Sequence, residues 1–144
     1  MQGQNYFEYL GSNFNNYSFT GGLMFVSGAS DGLSQTLAFH YWKFEKKFPK
    51  ANRQFWDNNI SWENKYRDYP IDKRPAYFGS KTFLAWTTDG YHLSRTISNT
   101  AILSAVVVNF DGAKKWHWYI YDFVIFSLIK SVGFHLVYTI AFDT

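Results

Sequence analysis

The basic residues of this chain are confined almost entirely to one segment. Residues 43–81 hold ten of the fourteen Lys and Arg against five of the eleven acids, a local net charge of +5. Long apolar stretches flank that segment, and the only other Lys and Arg are Arg95, Lys114, Lys115 and Lys130. A bilayer accepts about 20 predominantly apolar residues per helical span. It leaves Lys and Arg preferentially on its cytoplasmic side. The pattern predicts an all-α fold: a small multi-pass helical membrane protein with about three membrane-embedded segments and a basic, aromatic linker facing the cytoplasm.

The segments fall at about 19–42, 83–110 and 116–142, with residues 43–80 as an interfacial linker and residues 1–144 forming one helical membrane domain. The first contains Ser27-Gly28-Ala29-Ser30-Asp31-Gly32, small side chains that suit close approach of helices. It ends on Tyr41-Trp42-Lys43, an interfacial belt followed by a basic stop. Residues 1–18 read as a short interfacial arm, irregular or with a helical turn. They lack the basic region and apolar core of a cleaved signal peptide. The linker carries all three prolines, Pro49, Pro70 and Pro75, and is expected to hold a short helix or turns. The mean hydropathy of −0.28 fits a soluble chain. That average mixes a polar linker with apolar stretches, and it scores Tyr and Trp low although both favour membrane interfaces. The soluble alternative is an α-helical domain with aromatic, amphipathic helices.

Several chemistries are absent. With no cysteine there is no disulfide framework, thiolate metal site or cysteine nucleophile. The phosphate-binding, dinucleotide-binding, zinc-protease and serine-hydrolase signatures are also missing. What remains are ionisable groups inside apolar stretches, which are costly in a bilayer and normally face a partner or a cavity. Asp31 stands amid small residues in the first stretch, where a carboxylate must be neutralised by a proton, by Arg95 or by Lys130. Alternatively, Asp31-Gly32 is a turn that divides that helix. In the second stretch Asp89, His92, Arg95 and Asn99 recur at helical spacing and share a face. Asp89 and His92 are the candidate metal pair. Asp31, Asp89, His92 and Arg95 are the candidate catalytic or binding residues, with His135 joining from the third stretch. The same groups are equally readable as a polar seam between helices. His117 and His135 lie on one helical line about five turns apart, too far to share an ion. No cofactor is specified.

In the linker, Lys46, Lys47, Lys50, Arg53, Trp56 and Trp62 are the candidate lipid contacts. Juxtamembrane cations attract anionic headgroups, and tryptophans anchor beside them. Basic residues interleaved with aromatics also suit nucleic acid, a reading disfavoured beside apolar spans. The partners expected are anionic lipid and either a second copy of the chain or another membrane protein.

Phe55-Trp56, Ser61-Trp62-Glu63-Asn64-Lys65-Tyr66 and Thr87-Thr88-Asp89-Gly90-Tyr91-His92-Leu93 resemble a family of small bacterial and phage integral membrane proteins of no known activity. The resemblance covers roughly residues 30–100 and implies a helical membrane protein. An Asp shortly before a His that opens an apolar helix is also similar to VanZ-type membrane domains, although here the two are only three residues apart. The expected function is a structural or accessory membrane component that packs with partners or itself and contacts anionic lipid. The alternative is a membrane-embedded enzyme or carrier acting on a lipid or ion through an Asp/His/Arg site.

Overall fold

Three long helices carry the structure, and small residues determine how closely they approach. The computed structural model describes residues 5–112 and 114–142. A short helix, α1 (Tyr6–Ser12), opens the described chain. The Asn5 side chain accepts from the Glu8 backbone and Glu8 accepts in return from the Asn5 backbone, a capping box that satisfies two end donors. The long helix α2 (Phe14–Phe39) follows, then α3 (Tyr41–Lys47) after a break at His40. The linker holds α4 (Arg53–Trp56), α5 (Asn58–Ser61) and an antiparallel hairpin of β1 (Tyr66–Asp68) and β2 (Asp72–Pro75). Then come α6 (Gly90–Asn109) and α7 (Trp118–His135), the latter continuing as a π-helical turn over Leu136–Ala141.

The mostly helical expectation holds, with corrections at three places. The first apolar helix begins at Phe14 and stops at Phe39, and it runs unbroken through Asp31-Gly32. In the N-terminal arm, of which residues 1–4 lie outside the described chain, the helical alternative is the one found, as α1. The second long helix begins at Gly90, because Asp89 caps its N-terminus and residues before it form turns. The linker contains a hairpin, for which its charged and prolyl sequence offers no alternating pattern.

The central helix is α2, which packs against both α6 and α7. Ser27 meets Ser98 and Asp31 meets Arg95, so α2 and α6 are antiparallel. Tyr17 meets Asp122, Asp31 meets Lys130 and His40 meets Tyr138, so α2 and α7 run parallel. The helices therefore run up, down and up. At one end α1 packs beside Trp118, and at the other α3 packs beside Phe142.

Aromatic and aliphatic clusters close the two ends of the bundle, around Trp118 and Phe126 and around Leu37 and Phe44, and between them the α2–α6 contact is built of small side chains. Buried positions along α2 include Thr20, Ser27, Gly28, Gly32, Ser34 and Thr36, and those of α6 are Gly90, Ser94, Ser98, Ala101 and Ala105. Large apolar side chains point outward: Val107 is 75% exposed, Phe123 73% and Ile140 69%. Among the described residues one helix, Trp118–Ala141, is long and apolar enough to cross a membrane, rather than the three expected. The Ser, Thr and Gly that line the inner faces of α2 and α6 lower their mean hydropathy.

The α2–α7 contact is set by glycine. A Cβ added at Gly28 would overlap the Lys130 carbonyl oxygen, one at Gly133 would overlap the Phe25 carbonyl, and one at Gly32 would lie 2.8 Å from the Phe134 carbonyl. Gly28 and Gly32 are four residues apart, the small-xxx-small spacing that lets helix backbones touch. Gly28→Ala forces the helices apart and is expected to lower stability by about 1–3 kcal/mol, the usual cost of overpacking. Gly22→Ala is its control, since nothing lies within 4 Å of that Cβ. Thermal unfolding in detergent should show a lower midpoint for the first variant and none of that loss for the second.

Candidate functional site

Asp31 is the residue on which all three long helices converge. Arg95 of α6 donates from Nη1 to its Oδ1 at 2.7 Å, and Lys130 of α7 donates from Nζ to its Oδ2 at 3.0 Å. One turn away, the buried hydroxyls of Ser27 and Ser98 lie 3.0 Å apart. The Gly28–Gly133 approach is what brings Lys130 within reach of Asp31. Each carboxylate oxygen holds one cation, and the cluster keeps one surplus positive charge. Asp31 is half-buried and its two partners reach the surface. This geometry makes the triad an electrostatic tie between three helices, since an ionised group in an apolar medium persists when a partner neutralises it.

Asp89 and His92 lie elsewhere, at the start of α6. Asp89 is 1% exposed and accepts from the His92 backbone N–H at 2.8 Å, which caps the helix. His92 Nδ1 lies 2.9 and 2.8 Å from the two carboxylate oxygens. The imidazole is half-exposed. Among the described residues no group of three or more His, Asp or Glu is arranged to hold a metal ion. Asp89 and His92 thus form a pair without a third ligand. His135 is distant from both groups, exposed on α7, with Nδ1 at 3.2 Å from the Thr139 hydroxyl. The candidate residues are therefore divided: Asp31 and Arg95 meet and recruit Lys130, Asp89 and His92 meet separately, and His135 joins neither.

Asp122, in the third apolar stretch, is the centre of a buried knot at the α1 end of the bundle, 2% exposed. It accepts from Lys114 Nζ at 2.7 Å, Tyr6 at 2.7 Å, Tyr17 at 2.8 Å and Asn109 at 3.0 Å. The Lys114 ammonium also faces the rings of Tyr9, Tyr17 and Tyr119 at 5.7, 5.1 and 4.7 Å, within cation–π range. Its remaining donors are used by the Asn109 carbonyl and side chain. Every polar atom of this pair has a partner, so the knot is a fastening for α1, α2 and the 110–117 loop. The signal in the sequence was three tyrosines in the arm, whose buried hydroxyls require partners.

The predicted lipid contacts are divided as well. Lys47, Lys50 and Trp56 border an apolar groove of about 830 Å³ between α2, α3 and the end of α7, and Lys46 stands beside its mouth. Arg53 pairs with Asp57 at 3.1 Å and lies 4.0 Å from Glu45. Trp62 donates to the Asn59 carbonyl and packs on Tyr69 in the hairpin region, away from the groove. Comparison with family models, curated proteins and solved structures finds no match to this chain.

Asp122→Asn leaves the Lys114 ammonium buried without its countercharge. The expected loss is about 3–5 kcal/mol, as for breaking other buried pairs, and adding Lys114→Met to Asp122→Asn, which removes the stranded charge and keeps an acceptor for Tyr6 and Tyr17, should recover part of it. Denaturant unfolding in detergent measures both. Burial, then the hydrogen bond to Asp122, raises the Tyr6 phenol well above its ordinary 10.0. A raised folded value means this contribution to stability is complete below about pH 10 and disappears as pH rises further, where the unfolded chain ionises first. In an alkaline absorbance titration, the difference between the native chain and Tyr6→Phe should show Tyr6 ionising only as α1 undocks. Ionisation near pH 10 with α1 still docked would contradict the knot.

Proposed function

We propose that this protein is a three-pass membrane component that works by packing. It fastens to a partner or to a second copy through apolar helix faces and rests its linker end on anionic headgroups. The observation that carries this reading is the side-chain distribution along the long helices: glycine, serine, threonine and alanine fill most of the α2–α6 contact, while Leu103, Val106, Val107, Phe123, Leu128 and Val132 face outward. Large contiguous apolar patches are rare on water-soluble monomers. In lipid they carry no such penalty, and close packing through small residues becomes a principal source of helix association.

Three further features support the reading. The up-down-up course returns the chain to the linker side after α7, as an odd number of spans requires. At 20 to 26 residues, α2 and α6 reach across a hydrocarbon layer of about 30 Å at about 1.5 Å per residue. The charges on these helices are held by one another, at Asp31 and at Asp122. An enzyme or carrier working through an Asp/His/Arg site has less support, because Asp89 and His92 stand apart from Asp31 and Arg95.

The absence of cysteine makes the test direct. Gly11 and Asn52 are exposed at opposite ends of the bundle. Single cysteines there should react with an impermeant maleimide from opposite sides of sealed vesicles, with Asn52→Cys on the cytoplasmic side. The chain should also stay in membranes through alkaline carbonate washing. Release by carbonate, or labelling of both positions from one side, would refute the three-pass arrangement.

A further inference from the structure

The groove between α2, α3 and the end of α7 is apolar within and cationic at its mouth. Ala29, Leu33, Val137 and Ala141 line it, with Phe44 and Trp56 beside them. It extends from the linker end to Ala29, ten residues before the end of α2, a depth of about 15 Å at the helical rise. Its volume of about 830 Å³ falls within the range of about 300–1,000 Å³ that holds one small amphiphile. The wall is set by backbone contact: a Cβ on Gly90 would overlap the Trp56 indole, so glycine there lets the ring lie against the first turn of α6. Phe44 then packs between Trp56 and Phe142, at 5.2 and 6.0 Å between ring centres.

The mouth supplies the charge complementarity. Lys43, Lys46, Lys47, Lys50 and Arg53 crowd residues 40–56, where Glu45 is the only acid, and Glu45 lies 4.0 Å from Arg53. Lys47 donates to the Ala141 carbonyl and, as an ammonium, has two further N–H groups to offer. Lys50 is exposed and has no ion pair among the described residues. A dry slot ending in a cluster of ammonium groups matches an acyl chain joined to a phosphate.

We propose that this groove binds one anionic phospholipid, with an acyl chain along Ala29, Leu33 and Trp56 and the phosphate on Lys47 and Lys50. The proposal rests on the three-pass reading and turns its general contact with anionic headgroups into a defined site.

Trp56 reports occupancy. The intact protein is reconstituted into phosphatidylcholine vesicles containing a minor fraction of either phosphatidylglycerol or phosphatidylcholine brominated on the acyl chains. The Trp56 signal is the difference between the native chain and Trp56→Phe. Each juxtamembrane cation contributes about fivefold to binding of anionic lipid. Two lysines therefore predict half-quenching of Trp56 at a mole fraction roughly 25-fold lower for brominated phosphatidylglycerol than for the phosphatidylcholine. Lys47→Gln with Lys50→Gln should abolish that preference while both lipids still quench. Gly90→Val, which displaces the indole, should weaken quenching by both. Equal quenching by the two lipids, or a preference that survives loss of both lysines, overturns the site. So does an unquenched Trp56 in a chain whose other tryptophans are quenched, which would mean that a protein segment or a second copy fills the groove. If no tryptophan is quenched and the chain stays outside the vesicles, the three-pass reading fails and this one falls with it.

Discussion

The backbone contact between α2 and α7 at Gly28 and Gly133 is the constraint from which the rest of the structure follows. Two helices that touch through glycine sit closer than any pair separated by leucines, and their relative rotation is fixed by where the glycines lie. That rotation carries Lys130 to Asp31. It turns Phe123, Leu128, Val132 and Ile140 outward. It also leaves the far end of α7 beside α3, so that the groove opens between them rather than closing. A larger residue at Gly28 would therefore disturb packing, charge pairing and groove together, although they are separate in sequence.

Where apolar burial contributes little to holding helices together, polar contacts must be few and well satisfied. Two carboxylates serve in this way among the described residues, beside the Ser27–Ser98 and His40–Tyr138 contacts. Asp31 ties α2 to α6 and α7 with one carboxylate and two cations. Asp122 ties α1, α2 and the 110–117 loop to α7 with four donors. They differ in access: the first reaches the surface through Arg95 and Lys130, while the second is sealed by tyrosines. In both, the carboxylate is already engaged by its cations, Lys114 at Asp122 and Arg95 with Lys130 at Asp31.

The parts of this design that were legible in the sequence are those expressed locally. The Ser-Gly-Ala patch points to close helix approach, and a carboxylate amid small residues calls for a proton, Arg95 or Lys130, or for a turn at Asp31-Gly32. The helix is unbroken there and both cations bind the carboxylate. Contacts between distant elements left no local trace. Tyr6 and Asp122 are 116 positions apart, and nothing in the spacing of either predicts the other. The start of α6 is ambiguous in sequence for another reason. Asp89, followed three residues later by His92, fits a helix face as well as an N-cap, so the periodicity alone does not mark Asp89 as the residue that caps the helix. The groove was invisible because Ala29, Phe44, Trp56 and Ala141 come from elements whose angles are set only in three dimensions, although the lysines at its mouth were singled out for lipid.

The two ends of the bundle also differ in the charge they offer to their surroundings, and this bears on orientation. By simple count, Lys114 and Lys115 oppose a cytoplasmic placement of the linker, since they lie at the other end. Lys114, however, is 1% exposed at its side chain and bonded to Asp122, so it presents almost no charge to solvent or headgroups. Asp111 and Glu8 stand at the same end as Lys115. That leaves the α1 end close to neutral, while the linker keeps its local excess of +5. Orientation responds to Lys and Arg near the ends of spans rather than to buried pairs. Sequestering Lys114 thus sharpens the charge contrast between the two ends of the bundle, the contrast on which the proposed orientation depends.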